Sequence, residues 1–470
     1  MVGFTIPLDE VLSKIGLGWF HVRLWWISGF GFSAAAAEVV LMSFVFPELR
    51  NGPWNLNEYE LGSLATIVSC GSIFGETMFG YLADKYGRRT IFMVTVIVVV
   101  TFGILSAFSP NRHWLAVLRL CVGFGYGGNI AVDFTMYSEF LPTEGRGNML
   151  FLLTLFWPLG QLFTCLCAWL VIPRYGWQVF VAVCTVPSMI TALARPFIPE
   201  SPRWLVTQGR IQDATAVCRE MALQNGKSLA EVGLDEGCEV CLGNEESGLT
   251  AALGSGSESA KGNIQELFSR RLWRTTVGLF MIVGALNYCG YGTLTLMPSF
   301  LEMKGIPKGN MYFTMTMNAA AQFPGVLLAS CCGVRTGRLY PMRGAMFIVG
   351  IALFSFTLVH SSGSVLACTM FASCFLEAGW AMYHVYVPEV YPTELRAFAT
   401  GVLSAGGSII AMAAPLVSAG FLEAQTPYKA IVVFAAAAFL AGASAFVLLH
   451  VETKDRDLED IHVSQTVKGM

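Results

Sequence analysis

The chain carries little charge. Of its 470 residues only 13% are Asp, Glu, Lys or Arg, against about 25% in ordinary soluble chains. It contains no N-x-[ST] sequon and so offers no acceptor for an N-linked glycan. It contains no G-x-x-x-x-G-K-[ST] loop, which argues against ATP hydrolysis as an energy source. Its first 20 residues lack a basic start and a small-residue cleavage site. No cleavable signal peptide is read there, and the first spanning helix would act as the insertion signal. Among 13 cysteines, Cys238 and Cys241 form a C-x-x-C in a polar loop, a weak signal for zinc or redox chemistry without a second pair. Cys165, Cys167, Cys331 and Cys332 lie in apolar runs and read as small hydrophobes. A net charge of −3 gives no hint of a nucleic-acid partner. No catalytic constellation, metal cluster or cofactor motif is visible, so an enzyme is the least supported class.

What the chain has in abundance is apolar length. It is 54% hydrophobic, with a mean hydropathy of +0.59, more than the core of a soluble chain could hide. A bilayer-crossing helix needs ~20 mostly apolar residues. By that measure six spans are expected near 24–47, 60–83, 90–109, 114–140, 148–172 and 177–197. Six more are expected near 274–301, 311–334, 344–361, 364–390, 398–423 and 428–450. With both ends cytoplasmic, 22 of the 29 Lys and Arg fall on the inner side, counting Arg195 and Arg274 at inner span ends. Arg50, Arg112, Arg174, Lys304, Lys308 and Lys429 fall outside and Arg119 within a span, the bias expected of a correct topology. The domains then run 1–23 (cytoplasmic segment), 24–197 (first bundle), 198–273 (cytoplasmic linker), 274–450 (second bundle) and 451–470 (cytoplasmic tail). Leu8–Leu12 reads as a short amphipathic helix, Arg210 to Asn225 as a surface helix, and Lys227 to Asn263 as a flexible linker.

The octapeptide E-x-x-P-T-E-x-R occurs twice, from Glu139 to Arg146 and from Glu389 to Arg396, 250 positions apart. A repeat on that scale points to a duplicated half-protein, as in secondary transporters. The offset recurs where Gly87 and Arg88 map to Gly337 and Arg338, and it fails where Asp84 maps to Val334 and Glu38 to Tyr288.

Three segments carry a family resemblance. Gly80-Tyr-Leu-Ala-Asp84-Lys85-Tyr-Gly87-Arg88-Arg89 resembles the loop signature of the major facilitator superfamily. Pro199-Glu200-Ser201-Pro202-Arg203-Trp204-Leu205 resembles the linker motif of its sugar-porter and organic-ion branches. Leu118-Arg119-x-x-x-Gly123-x-Gly125-x-Gly127-Gly128 resembles its fourth-helix pattern. The branch that looks most similar is that of the synaptic-vesicle-two-related and nicotinate-transporter-like proteins, through Leu8–Leu12, Gly16–Phe20 and Gly127–Asp133. The resemblance implies a twelve-helix carrier of small organic solutes, often organic ions. In the first helix Ala35 stands where that branch often has the first acid of A-D-A-x-E, while Glu38 keeps the second; the loss speaks against cation recognition there. The short loop from Glu302 to Asn310 speaks against a large lumenal domain.

Ionisable residues inside spans mark the candidates for function. A charged Asp, Lys or Arg at the bilayer centre costs ~2.5–3.5 kcal/mol on insertion scales, so each should face a cavity or a partner. Glu38 is read first as a substrate or proton site, and Asp133 equally as such a site or as an ion-pair partner. Arg119 lies 14 positions from Asp133, roughly 21 Å along one straight helix, and is not its obvious mate. Glu76 and Glu377 read as structural, at helix interfaces, with His384 a polar companion. Asn287, Tyr288, Tyr291, Asn318 and Gln322, with Gln161 and Trp157 opposite, are candidate cavity residues or interhelical glue.

The reading is an all-α membrane protein with twelve transmembrane helices in two pseudo-symmetric six-helix bundles. It moves a small organic solute (an organic ion, a nicotinate-like acid or a sugar), with protons as a candidate coupling ion. Asp84, Arg88, Arg89, Glu139, Arg146, Glu389 and Arg396 form the expected cytoplasmic gate, a latch that holds the outward-open state. The alternative is a non-transporting receptor or trafficking protein on the same fold. The partners expected are the solute and the lipid bilayer, in either a plasma or an intracellular membrane.

Overall fold

The structure is a computed structural model, and it describes residues 5–142, 144–235, 238–241, 264–391, 393–424 and 426–453. The first half is built of α2 (Trp19–Asn51), α3 (Glu58–Tyr86), α4 (Arg88–Ala107), α5 (Arg112–Phe140), α6 (Arg146–Leu153), α7 (Phe156–Cys184) and α8 (Val186–Ala194). The second is built of α13 (Trp273–Met303), α14 (Lys308–Thr336), α15 (Leu339–Leu358), α16 (Ser362–Val390), α17 (Thr393–Glu423) and α18 (Pro427–Leu448). Between them lie α9 (Pro202–Thr207), α10 (Ile211–Gln224), α11 (Leu229–Val232) and α12 (Ile264–Leu267). The helices run several residues beyond the apolar windows because polar caps extend them. Asn57 starts α3 through a capping box: Glu60 N–H donates to Asn57 Oδ1 (2.9 Å) and Asn57 N–H to Glu60 Oε2 (3.0 Å). Asn111 caps α5 with its side chain alone, accepting from the N–H groups of His113 and Trp114.

Among the described residues, nine stretches are long and apolar enough to cross a membrane. One of them, residues 146–197, breaks at Gly176 (φ 79°, ψ 175°). Its 52 residues would reach ~78 Å if straight, room for two passes of a ~30 Å hydrocarbon core. α3 and α14 have the length of their neighbours, 29 residues each, but carry more polar side chains, as cavity-facing helices should. These passes are consistent with the twelve expected.

The 250-residue offset reappears in the packing. The closest pairings within the first half are α3 with α5 and α4 with α5; within the second they are α14 with α16 and α15 with α16. The halves meet where α3 packs on α17, α7 on α14 and α2 on α13. Close approach depends on absent side chains. A Cβ on Gly75 of α3 would lie 2.0 Å from the Phe124 carbonyl oxygen of α5, and one on Gly325 of α14 would lie 2.1 Å from that of Cys374. Gly80, the first glycine of the loop signature, has open space around it, and the close approach falls to Gly75. Gly87 (φ 99°) and Gly337 (φ 92°) turn the chain at equivalent places, in a backbone region that side chains disfavour.

The N-terminal segment is tied to the linker. β1 (Thr5–Pro7) pairs in parallel with β2 (Glu239–Cys241). α1 (Leu8–Ile15) buries Leu8, Val11, Leu12 and Ile15, one helical face, in a cluster with Cys218 and Met221 of α10 and with Val232, Leu234 and Val240. The expectation of a flexible linker from Lys227 is therefore corrected at Leu229–Val232, which forms α11, and at Glu239–Cys241, where β1 supplies a strand partner for β2; residues 236–237 and 242–263 lie outside the described ones. Gly75→Val should force α3 from α5, lowering the folded yield and the thermal unfolding midpoint of purified protein, at overpacking costs of ~1–3 kcal/mol. Gly80→Val, with nothing within 4 Å, should leave both unchanged, and equal effects of the two would refute this account.

Candidate functional site

A cavity of about 1550 Å³ lies between the halves. Its wall runs from Gln161, Asn287 and Gln322 in mid-helix to Arg146, Arg338, Glu389 and Thr453 at the face near both termini, called here the terminal face. Trp157 and Tyr291 also line it. Gln322 Nε2 donates to Gln161 Oε1 at 2.8 Å, an amide bridge from one half to the other. Phe134 of α5 stacks on His384 of α16 with ring centroids 5.5 Å apart, and Trp380 stacks on His384 at 5.4 Å. Phe134 and His384 are themselves 250 positions apart. Besides Glu389 at the terminal face, two carboxylates face the cavity in mid-helix: Glu76, which accepts from Ser72 Oγ at 3.0 Å and hydrogen-bonds Ser408 of α17, and Glu377.

Other candidates sit behind the wall. Glu38 is fully buried and pairs with Arg119 at 2.8 Å; Arg119 Nε also donates to Ser106 Oγ at 3.2 Å. Asp133 pairs with Arg195 at 3.0 Å. Arg195 in addition donates to Asn129 Oδ1 and to the Phe92 carbonyl. In sequence Arg195 looked like an inner-side charge at a span end; it is instead wholly buried and completes the Asp133 pair. Tyr288 packs edge-on against Phe434 (5.1 Å), and neither it nor the buried Asn318 is part of the cavity wall among the described residues.

At the terminal face each half holds the same cluster. Arg88 pairs with Glu139 and with Asp84 (3.3 Å), while Glu200 accepts the backbone N–H groups of Arg88 (3.0 Å) and Arg89 (3.1 Å). Arg338 pairs with Glu389 (3.2 Å), while Glu452 accepts the N–H groups of Arg338 (2.7 Å) and Leu339 (3.1 Å). The two glutamates thus cap α4 and the start of α15, where a helix N-terminus favours an anion. Arg146 donates to the Leu141 carbonyl (3.1 Å) and approaches Asp9 of α1 (4.0 Å), which also binds Arg203. The Arg396 side chain lies outside the described residues. Glu200 was visible only through the linker motif. Glu452, in the expected tail, gave no signal beyond its 252-residue spacing from Glu200.

The opposite face is bridged across the halves. Arg50, at the end of α2, pairs with Glu58 (2.7 Å) and with Glu302 at the end of α13 (3.2 Å), and donates to Ser299 Oγ (3.0 Å). Lys308 of α14 pairs with Glu48 of α2 (3.2 Å), and Phe44 stacks on Tyr312 at 5.9 Å. The Glu58 N–H reaches Glu423 of α17 at 3.4 Å. In sequence these were only outer charges. The cavity therefore opens towards the terminal face and is closed beneath the other.

Comparison with known proteins agrees with this geometry. The profile of the family described as sugar (and other) transporter matches residues 25–464. The chain is 31% identical to organic cation/carnitine transporter 7 of Arabidopsis thaliana, over 97% of this chain and 96% of that one. It is 27% identical to the niacin transporter NiaP of Acinetobacter baylyi, over 97% and 100%. It is 29% identical to the synaptic vesicle 2-related protein of Xenopus laevis, over 97% and 83%. Among solved structures, the inward-open form of the xylose transporter XylE from E. coli superposes with a TM-score of 0.74 at 17% identity, over 94% of this chain and 99% of that one. Asp133→Asn would leave the Arg195 charge buried without its counter-charge, a loss of ~3–5 kcal/mol. The thermal midpoint in detergent should fall sharply, and an apolar Asp133→Leu/Arg195→Met double replacement should recover much of it. A single variant as stable as the wild type would refute a buried ion pair.

Proposed function

The chain belongs to the sugar (and other) transporter family of the major facilitator superfamily, and on that membership we propose that it carries a small organic solute across its membrane by alternating access. It is an integral membrane protein and a solute transporter. The observation that carries the finer reading is the cavity walled by both halves, open at the terminal face and closed at the other by Arg50, Glu302, Lys308 and Glu48. On the positive-inside rule the terminal face is cytoplasmic, which makes this the inward-open state. The solute would meet the amides of Gln161, Asn287 and Gln322 and the rings of Trp157, Tyr291 and Trp380. Turning outward would break the Arg50 and Lys308 bridges and close the terminal face.

The Arg88 and Arg338 clusters are the proposed cytoplasmic gate. Asp84 keeps most of its surface exposed, with a side chain 74% accessible, and so stays free to meet the other half when the terminal face shuts. Glu38, paired with Arg119, is the proposed proton site, because protonating a buried carboxylate releases its arginine. The relatives' names, with an organic cation, carnitine and niacin among them, support a small charged metabolite over a macromolecule.

The decisive experiment is uptake by full-length protein in proteoliposomes, against a panel of organic anions, organic cations and sugars. Uptake of one solute above empty vesicles is expected; none for any class would favour the receptor reading. Glu38→Gln should abolish the pH dependence of that uptake while leaving solute exchange intact. A pH profile unchanged by the variant would exclude coupling through Glu38. Asp84→Asn should shift the carrier inward, raising labelling of a cavity cysteine from the terminal face; equal labelling from each side in variant and wild type would refute the latch.

A further inference from the structure

Glu377 stands out among the acids that lie inside the spans. Glu38 has Arg119, and Asp133 has Arg195. Glu76 has Ser72 and Ser408. Glu377 is only 7% exposed and lines the cavity, and among the described residues no cation or hydrogen-bond donor is recorded against its carboxylate. The cavity wall holds two arginines, Arg146 and Arg338, both at the terminal face. Arg338 is held by Glu389, which lies 12 residues (389 − 377) along α16 from Glu377, a rise of ~18 Å. An ionised carboxylate at this depth in the bilayer needs a counter-charge, and none lies near it among the described residues.

Aromatic rings share its stretch of the cavity wall. Trp380 lies one turn along the same face of α16, and its ring continues into the stack with His384 and Phe134. Tyr291 of α13 lines the same cavity. A carboxylate and an indole on one cavity wall fit an ammonium or a methylated ammonium, which gains from both the charge and the ring quadrupole. An organic anion would instead meet two carboxylates in mid-cavity and, among the described residues, no cation there.

We infer that Glu377 is the counter-charge for the transported solute, and that this solute is a small organic monocation seated against Glu377 and Trp380. This rests on the transport reading above and names its substrate class.

The test uses full-length protein in proteoliposomes with three ring-matched probes, 1-methylnicotinamide (cationic), nicotinamide (neutral) and nicotinate (anionic), and with tetraethylammonium as a second cation. Wild type should take up the cations in preference. Glu377→Gln should lower cation uptake and cation exchange about tenfold or more, with a thermal midpoint at or above that of the wild type, since an unpaired buried charge is removed. Trp380→Leu should weaken cation uptake alone. Preference for nicotinate or nicotinamide over both cations would overturn the inference and leave the carrier reading standing. A Glu377→Gln variant that still exchanges the cation but no longer accumulates it would make Glu377 a protonation site and overturn the inference too. No uptake of any probe or of the wider panel, with no thermal stabilisation by either cation, would overturn the carrier reading and this inference with it.

Discussion

A charge carried into hydrocarbon must meet a counter-charge there, and the first half of this protein is arranged around that requirement. Arg119 and Asp133 sit on one helix, α5, but lie far apart along it and look to different neighbours. Arg119 reaches Glu38 on α2, and Asp133 reaches Arg195 at the end of α8. Breaking either pair by removing one partner strands a charge in a low dielectric, so the two pairs tie α5 to α2 and to the end of α8. Apolar side chains slide; an ion pair with further hydrogen bonds to Ser106 or Asn129 does not.

Rigid halves are what make a moving boundary between them workable. At the terminal face the ion pairs of Arg88 with Glu139 and of Arg338 with Glu389 each join elements of one half, and Glu200 and Glu452 cap the turn that follows Gly87 or Gly337. At the opposite face Arg50 and Lys308 bind across the divide. Those cross-half bridges are partly wet, and exposed pairs of this kind are worth little individually. That weakness suits a gate: contacts that must break in every cycle cannot be as strong as the buried pairs that hold each half together. The amide bridge of Gln322 to Gln161 and the Phe134–His384 stack lie in the same class, since both span the halves and must rearrange.

Much of this was legible in the chain. Hydropathy and the 250-residue repeat implied the helices and the duplicated halves, and they placed Arg88 beside Arg338 and Glu139 beside Glu389 as equivalents. Gln161, Asn287 and Gln322 reach the cavity wall, because polar side chains on long apolar helices have few other places to go. What was illegible depended on tertiary approach. Arg195 stood beside Pro196 at the end of an apolar run, where hydropathy cannot tell a wet end from a buried one. Glu452 lies in a polar tail until the turn at Gly337 draws it in. Glu377 looked like one more interface carboxylate, and only the absence of a nearby donor sets it apart.

The repeat is most informative where it fails. Adding 250 to Glu38, Arg119, Asp133 and Arg195 gives Tyr288, Thr369, Tyr383 and Ala445, so the second half has lost all four charges together. Loss of whole pairs avoids a stranded charge, and it frees that half from the constraint that stiffens the first. The cavity carboxylates break the symmetry in the opposite sense. Glu377 corresponds to Gly127, where a Cβ would lie 2.3 Å from the Ser72 carbonyl oxygen and no side chain fits. Glu76 corresponds to Val326. Each half therefore contributes one mid-cavity acid that its twin position does not repeat. A duplicated scaffold acquires a directional, charged interior in this way without disturbing the helix contacts and capped turns that both copies share.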